Sequence, residues 1–111
     1  MWYVYILRSS HDNHLYVGMT NDLKKRVVTH NAGKVEATKH RLPLMPIYYE
    51  AHLNKYDVAA REKFLKSGWG KTWIKSTLTN YFQSKKLGGQ AHPPIEERIA
   101  ALENRGAKGT S

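Results

Sequence analysis

Residues 15–30, with the sequence LYVGMTNDLKKRVVTH, decide the fold of this chain. Apolar side chains alternate with other residues from position 15 to position 20, which is the period of a β-strand. Thr20 and Asn21 are favourable helix N-caps, and Asp22 suits the first turn of a helix that follows them. Gly18 lies in mid-strand, where a glycine often marks the close approach of another chain or a ligand.

A basic helix follows this strand. Leu23, Val27 and His30 repeat at the spacing of one helix face, which predicts a helix over residues 22–31 that ends at an Ala-Gly pair. Arg26 and His30 lie four residues apart and are therefore neighbours on the helix surface. Two adjoining elements thus carry a tyrosine, a glycine, an arginine and a histidine.

Two more strands are predicted. Residues 2–8, WYVYILR, are apolar on both faces, which predicts a central strand, and the polar residues 9–14 predict the turn of a hairpin. Residues 46–53, PIYYEAHL, predict a third strand, whose leading proline is best tolerated at a sheet edge. Residues 34–41 are a basic loop without a period.

The register of the hairpin places tyrosines together. If Leu7 lies opposite Tyr16, then Tyr5 lies opposite Gly18, because residues that face each other in a hairpin share one side of the sheet. Tyr3 joins them on that side. A slip of one residue would move all of these side chains to the other side, so the register is a hypothesis.

The second half of the domain is helical. Asp57 predicts the N-cap of a helix over residues 58–67, and a third helix is predicted over residues 71–82. The face of the second helix reads Val58, Glu62, Leu65 and Trp69, and the buried face of the third reads Trp73, Ile74, Leu78 and Tyr81.

The hydrophobic periodicity of the helices ends near residue 82, well before the last residue of the sequence. We expect one domain over residues 1–83, a linker rich in Gly, Ser and Pro over residues 84–94, and a short helix with a disordered tail over residues 95–111.

The composition of the chain favours some classes of function and excludes others. Eighteen Lys and Arg against nine Asp and Glu give a net charge of +9, which favours a polyanionic partner such as nucleic acid over a charge that serves solubility alone. There is no cysteine, which excludes disulfides, thiol catalysis and cysteine-bound zinc. Neither a membrane span nor a signal peptide is present in the sequence, so we expect a cytoplasmic protein.

Glu62 is the most informative single residue. A carboxylate on an apolar helix face is costly unless it is paired or binds a metal ion. An ion pair with Arg61, Lys63 or another nearby base is one explanation, and a helix face that is more solvated than the pattern suggests is a second. A single carboxylate that holds Mg²⁺ beside a bound phosphate is the third. The residues themselves leave all three open.

Arg26 and His30 also have two interpretations. Arginine donates forked hydrogen bonds to phosphate oxygens and histidine transfers protons near neutral pH, so the pair suits phosphate chemistry. A solvated basic face with a half-buried histidine explains the pattern equally well. Most of the seven tyrosines are expected in the core, although a tyrosine hydroxyl can also orient or deprotonate water.

The motifs WYVYIL, LYVGMTNDLKKRVVTHNAG and AREKFLK together resemble the GIY-YIG nuclease family, most closely its small stand-alone, UvrC-like members. Residues 3–5 stand at the GIY position and residues 16–18 at the YIG position, and the resemblance covers residues 1–82. Arg26, His30 and Glu62 fall where the family has its helix arginine, its histidine and its metal-binding glutamate. Each motif is common, but their order and spacing together are specific.

The resemblance implies an α+β fold, with a small three-stranded antiparallel sheet flanked by helices. It also implies hydrolysis of DNA phosphodiesters with a single Mg²⁺ or Mn²⁺ ion held by Glu62. Tyr5 and Tyr16 would position or deprotonate the attacking water. Arg26 would stabilise charge on the phosphate, and His30 would assist proton transfer. Gly18 would have a structural role.

The sequence departs from the family at two points. Tyr3 replaces the glycine of GIY, and Thr77 stands where many members have an asparagine, with Asn80 three residues later. We expect a DNA endonuclease that is weakly sequence-specific or structure-directed, with a role in DNA repair or recombination and with a protein partner as the source of any further specificity. A DNA- or RNA-binding module that does not cut is the alternative, and RNA is not excluded as the substrate. The basic residues expected to bind nucleic acid are Lys24, Lys25, Lys34, Lys39, Arg41, Lys63, Lys66 and Lys71.

Overall fold

A computed structural model of the protein describes residues 1–86 and contains one antiparallel sheet and four helices. The elements in chain order are β1 (Trp2–Ser9), β2 (Leu15–Thr20), α1 (Leu23–Asn31), β3 (Leu44–His52), α2 (Lys55–Lys66), α3 (Gly68–Thr77) and α4 (Thr79–Lys86). The predicted α+β fold with a three-stranded antiparallel sheet is confirmed.

β1 is the central strand, with β2 on one side and β3 on the other. Tyr5 pairs with Gly18 and Leu7 with Tyr16, so the predicted register of the hairpin is correct. On the other side, a bulge shifts the pairing of β1 with β3 between Ile6 and Leu7, whose partners are Tyr48 and Pro46. β3 is an edge strand, and a bulge on an edge is a place where a proline without an N–H is tolerated. Pro46 therefore lies inside the strand and not at its start.

The sheet separates two hydrophobic clusters. One cluster lies under α1 and contains the buried residues Tyr5, Leu7, Leu23, Val27 and Leu44. The other lies under α2 and α3 and contains the buried residues Val4, Ile6, Val17, Ile47, Val58, Leu65 and Ile74. Both sides of β1 are buried, which explains why its sequence is apolar throughout.

Two helix starts differ from the prediction. The N-cap of α1 is Asp22, whose carboxylate accepts a hydrogen bond from the Lys25 N–H at 3.1 Å, and neither Thr20 nor Asn21 has this role. The N-cap of α2 is Asn54, whose side chain accepts from Tyr56 N at 2.8 Å. Asp57 lies in the first turn of α2, where its charge favours the positive end of the helix.

The single helix predicted over residues 71–82 is two helices. α3 begins at Gly68, with Ser67 as its N-cap, so the exposed Trp69 belongs to α3 and does not extend the buried face of α2. α3 ends at Thr77, where the Thr79 hydroxyl bonds to the carbonyl oxygens of Lys75 and Ser76 at 2.9 and 2.8 Å. Such a side-chain bond competes with the helix ladder and separates α3 from α4.

The predicted boundary at residue 84 falls inside α4, so the first three residues assigned to the linker are helical. The rest of the predicted linker, the C-terminal helix and the tail lie outside the described residues, and the division into domains stays a prediction. Among residues 1–86, no helix has the length and hydropathy needed to cross a membrane.

Candidate active site

The hydroxyl of Tyr5 is the centre of a polar cluster between β1 and α1. Tyr5 is only 1% exposed, and its hydroxyl lies 2.9 Å from Nε2 of His30. Arg26, one turn before His30, donates a hydrogen bond from Nε to the same hydroxyl at 3.4 Å. The predicted helix neighbours Arg26 and His30 therefore meet at one atom. Burial raises the pKa of Tyr5 to about 12, although the Arg26 hydrogen bond acts in the opposite direction.

Gly18 makes room for this cluster. It lies opposite Tyr5 across the hairpin, and a Cβ atom at position 18 would overlap the Tyr5 hydroxyl. The same atom would approach Tyr5 Cζ to 2.6 Å and Tyr16 Cε1 to 3.0 Å. Tyr5 cannot move aside freely, because it is buried and bonded on two sides. Glycine is required at position 18 because the Tyr5 side chain occupies the space of a Cβ atom, and not because the backbone turns there.

Gly18→Ala is therefore expected to destabilise the fold by about 1–3 kcal/mol, the usual range for overpacking a core. It should also displace the Tyr5 hydroxyl and lower any catalysis that depends on it by about 100-fold, which is typical of an error of 1 Å in a site. Thermal melts and activity assays measure the two effects. Gly68→Ala is the matched control, since nothing lies within 4 Å of a Cβ there. Equal melting temperatures for the two variants would contradict this account of Gly18.

His30 is fully buried and links the Tyr5 hydroxyl to a second hydroxyl. Its Nδ1 lies 2.8 Å from Oγ1 of Thr38, which is also fully buried. Burial lowers the pKa of His30 to about 4, with a further contribution from the positive charge of Arg26. His30 is therefore neutral at pH 7. The sequence does not point to Thr38, because it lies in the loop of residues 34–41, which has no period.

The buried histidine makes stability depend on pH. In the unfolded chain its pKa is about 6.5, so between pH 6.5 and pH 4 the unfolded state binds a proton that the folded state does not. The free energy of unfolding should fall through this window as the pH falls, by up to about 3 kcal/mol from this group. Urea titrations from pH 7.5 to pH 4 measure it. His30→Gln should lose this pH-dependent part of the free energy of unfolding. If the free energy of unfolding changed with pH in the same way in the parent protein and in His30→Gln, His30 would not be its source.

Tyr16 completes the aromatic part of the site. Its ring centroid lies 5.0 Å from that of His30 and 6.4 Å from that of Tyr5. Tyr16 is half-buried whereas Tyr5 is buried, so Tyr16 is the tyrosine that faces solvent. The structure thus brings Tyr5, Tyr16, Gly18, Arg26 and His30 together, as the sequence analysis predicts.

Glu62 lies on α2, on the other side of the sheet. Its neighbours at helical spacing, Val58 and Leu65, are buried, and its own side chain is 22% exposed. Among the described residues its ion-pair partner is Lys66, with Nζ 3.6 Å from Oε2. Arg61 instead binds Glu50 through Nε and Nη2, with distances of 2.9–3.1 Å. Glu62 therefore pairs with a nearby base, as one of the alternatives predicts, but that base is Lys66 and not Arg61.

The two carboxylates of this region differ in their partners. Burial alone would raise the pKa of Glu50, but hydrogen bonds from Arg61, Tyr48 and His52 lower it. Glu50 is a structural anion. Glu62 has one weak partner, and its negative charge is close enough to raise the pKa of Tyr5 slightly.

These features fit a divalent cation at Glu62. Mg²⁺ prefers one or two carboxylates and takes its other ligands from water and phosphate. Within residues 1–86 there is no group of three His, Asp or Glu side chains that could enclose a metal ion. A site with one partly exposed carboxylate, whose remaining ligands come from the substrate and water, is compatible with both observations.

The eight predicted nucleic-acid-binding residues are dispersed. Lys24, Lys25 and Lys63 are exposed on α1 and α2, and Lys34 is exposed after α1. Lys39 pairs with Glu36 at 3.0 Å. The other three, Arg41, Lys66 and Lys71, line one cleft beside Tyr16. No observation here tests the eight assignments, which stay predictions.

Comparison with known proteins agrees with the geometry. A family model described as the GIY-YIG catalytic domain matches residues 1–77. UPF0213 proteins of Streptococcus pyogenes serotype M5 (strain Manfredo) and serotype M2 (strain MGAS10270) are each 45% identical to the chain over 85 residues, which is 76% of this chain and 91% of theirs. No solved structure matches the chain. The chain therefore belongs to the GIY-YIG family, a nuclease-type family that acts on nucleic acids and generally uses a divalent metal ion.

Proposed function

We propose that this protein is a Mg²⁺-dependent DNA endonuclease that hydrolyses phosphodiesters. It would be structure-directed or only weakly sequence-specific. The observation that carries the proposal is the shared contact at Tyr5, where a neutral histidine and a charged arginine meet one buried hydroxyl. A hydroxyl placed between a proton acceptor and a cation suits acid–base chemistry on an anionic substrate.

The residues divide the chemistry between them. Because the pKa of Tyr5 is about 12, its hydroxyl is protonated at neutral pH and is not a preformed base. Neutral His30 can accept the Tyr5 proton at Nε2 when Nδ1 donates to Thr38, so Tyr5 relays a proton from the side of the attacking water. Tyr16, which faces solvent, orients that water. Arg26 donates to the phosphate oxygens as negative charge develops on them.

Glu62 would hold the metal ion. Bound Mg²⁺ supplies a Lewis acid that stabilises charge on the phosphate and the leaving oxygen. Glu62 lies on α2, which packs against β1 and β2, whereas Arg26 and His30 lie on α1 against the other side of the sheet. The substrate phosphate would therefore lie between the two helices, beside the strand that carries Tyr16.

Cleavage of defined DNA substrates tests the proposal. Nicked, flapped, branched and intact duplexes of one sequence are incubated with the full chain, in Mg²⁺ or in chelator, and analysed on denaturing gels. We expect internal cleavage in Mg²⁺ and none in chelator, with a rate that depends more on DNA structure than on sequence. If the protein bound all of these DNA substrates but cut none of them in Mg²⁺ or Mn²⁺, the result would instead support a nucleic-acid-binding module that has the same fold and does not cleave.

Thr38→Val tests the proton path. Valine keeps the shape of threonine but removes the hydroxyl, so Nδ1 of His30 loses its partner and the preference for the Nδ1–H tautomer disappears. In the other tautomer Nε2 carries the proton and cannot accept one from Tyr5. We expect at least a 10-fold lower cleavage rate and an altered pH–rate profile, with unchanged DNA affinity. Thr38→Ser should restore the rate, and a parent-like profile for Thr38→Val would remove Thr38 from the mechanism.

Repair or recombination of DNA in the cytoplasm is the biological setting that we propose. A structure-directed enzyme suits such a role, because branched and nicked intermediates differ from intact DNA in shape and not in sequence. Specificity beyond this would come from a protein partner.

A further inference from the structure

A cleft opens beside Tyr16 on the α2–α3 side of the molecule. It has a volume of about 610 Å³ and lies between the turn that joins β1 to β2 and the helices α2 and α3. Its apolar lining consists of Leu15, Val17, Leu65 and Ile74. Tyr16 also lines the cleft, and its ring packs against His30 on the α1 side of the sheet, so the cleft and the candidate active site both border the edge strand β2.

The cleft is lined by cations from both sides. Arg41 lies on one side, and Lys66, Lys71 and Lys75 lie on the helical side. Lys71 and Lys75 are one turn apart on α3, about 6 Å along the helix axis. Among residues 1–86, no Asp or Glu lines the cleft.

These lysines occupy one flank of the two helices. Lys66 lies one turn after Glu62 and contacts it, which connects the row of cations to the proposed metal ligand. The other flank carries Arg61, which stacks over the Trp73 ring at 4.3 Å and is neutralised by Glu50. Among the described residues Lys71 and Lys75 have no acidic partner, whereas Lys66 is paired with Glu62, so the unpaired positive charge on the helical side of the cleft belongs to α3.

Two acidic residues of the described part of the chain, Asp12 and Glu62, lie near the cleft without lining it. The carboxylate of Asp12, in the turn between β1 and β2, lies 3.7 Å from Nε of Arg41 and 3.6 Å from Nδ1 of His14. Asp12 therefore weakens the field of one of the four cations.

We propose that this cleft binds the sugar–phosphate backbone of the DNA strand that is cut, on one side of the scissile phosphate. The inference rests on the proposed function for the identity of the ligand. The strand would run from Tyr16 past Lys66 and Lys71 to Lys75, with its phosphates against the lysines. The apolar lining would contact sugars and bases without reading sequence, since hydrogen bonds to base edges carry that information. Lys75, which the sequence analysis did not select, becomes a binding residue.

The test compares two charge reversals of equal size. Lys75→Glu reverses a cation of the cleft, and Lys55→Glu reverses a cation at the first turn of α2, which contacts Trp2 and does not line the cleft. Affinity of the full chain for labelled duplex and single-stranded DNA is measured by fluorescence anisotropy in chelator, across a salt series. Thermal melts confirm that both variants are folded.

We expect Lys75→Glu to weaken binding at least 10-fold at low salt and to reduce the salt slope by about 0.9 on duplex or 0.7 on a single strand, as for one lost phosphate contact. Lys55→Glu should change affinity less than threefold and leave the slope unaltered. Asp12→Asn should tighten binding, because it releases Arg41 from its partner. The form of DNA, duplex or single-stranded, for which Lys75→Glu changes the salt dependence of binding is the form that occupies the cleft.

Equal losses for the two reversals would overturn the inference, because the cleft would then add nothing to the general field of the protein. Absence of DNA binding by the parent protein would also overturn it. The measurement needs no cleavage, so the two proposals can fail separately. If DNA binds through Lys75 but is never cut, the proposed endonuclease activity is refuted and the proposed DNA-binding cleft is not. If the parent protein cuts DNA and Lys75→Glu binds DNA normally, the cleft is refuted and the endonuclease activity is not.

Discussion

Glu62→Gln is expected to abolish metal-dependent cleavage while the fold remains intact. Glutamine has nearly the same shape but lacks the charge that attracts Mg²⁺, and no other Asp or Glu lies between residues 61 and 86 to replace it. Metal-ion catalysis is worth several kcal/mol of transition-state stabilisation, so the rate should fall by about 1,000-fold or more. Affinity for DNA should be equal or higher, because the substitution removes a negative charge near phosphate.

The stability of this variant separates two explanations of Glu62. Its ion pair with Lys66 is partly exposed, and such pairs contribute at most about 1 kcal/mol. The melting temperature should therefore change by no more than about 8 °C. Glu50→Gln is the matched control, since Glu50 binds Arg61, Tyr48 and His52, and its loss should cost about 2 kcal/mol. A large drop in the melting temperature of Glu62→Gln would make Glu62 a structural residue.

Arg26→Ala should lower the cleavage rate by about 100-fold and weaken DNA binding less than threefold. Many lysines and arginines share the binding energy, so the loss of one has little effect on affinity. A donor that is aimed at developing charge is different, and removing one such donor typically costs 100- to 1,000-fold in rate. Arg26 is held at the site by its hydrogen bond to the Tyr5 hydroxyl.

Single-turnover rates and equilibrium binding, measured on the same preparations, decide between these roles. Arg26→Lys keeps the charge but loses the forked donors, and we expect it to recover little of the rate. Equal losses in rate and affinity would make Arg26 one phosphate contact among many. Full activity of Arg26→Lys would show that charge alone is sufficient.

The hairpin and its site could be predicted because they depend on short-range patterns. Tyr5 and Gly18 face each other because only one register keeps the alternating side chains of β2 on the correct sides of the sheet. Arg26 and His30 are neighbours by helix geometry alone. These two constraints suffice to bring the tyrosines, the arginine and the histidine to one place.

Other features depend on tertiary contacts that no local pattern reports. Thr38 reaches His30 from an irregular loop, and its bond exists only because the loop folds back over α1. Trp69 fits the spacing of α2, but Ser67 caps a new helix and turns Trp69 into solvent. Several residues near each helix start are good caps, and the choice of Asp22 and Asn54 depends on how the chain leaves the sheet.

The ion-pair partner of Glu62 also depends on tertiary structure and could not be chosen from the sequence. By sequence Arg61, Lys63 and other nearby bases are all possible partners, and the choice among them is not local, because adjacent residues on a helix point in different directions. Arg61 instead turns to β3, where it binds Glu50, and Glu62 lies on the flank with Lys66. Within the part of the chain that the structure describes, the carboxylate that a metal ion would need therefore has one weak partner.

In the proposed function, a divalent metal ion at Glu62 and the Tyr5 cluster act together in the hydrolysis of DNA. A titration of Mg²⁺ in single-turnover cleavage, with the parent protein and Glu62→Gln side by side, tests it most directly. We predict a rate that rises with Mg²⁺ and saturates for the parent, and no cleavage at any Mg²⁺ concentration for a folded, DNA-binding Glu62→Gln protein. A Glu62→Gln protein that cuts at the parent rate with the same Mg²⁺ dependence would contradict the account.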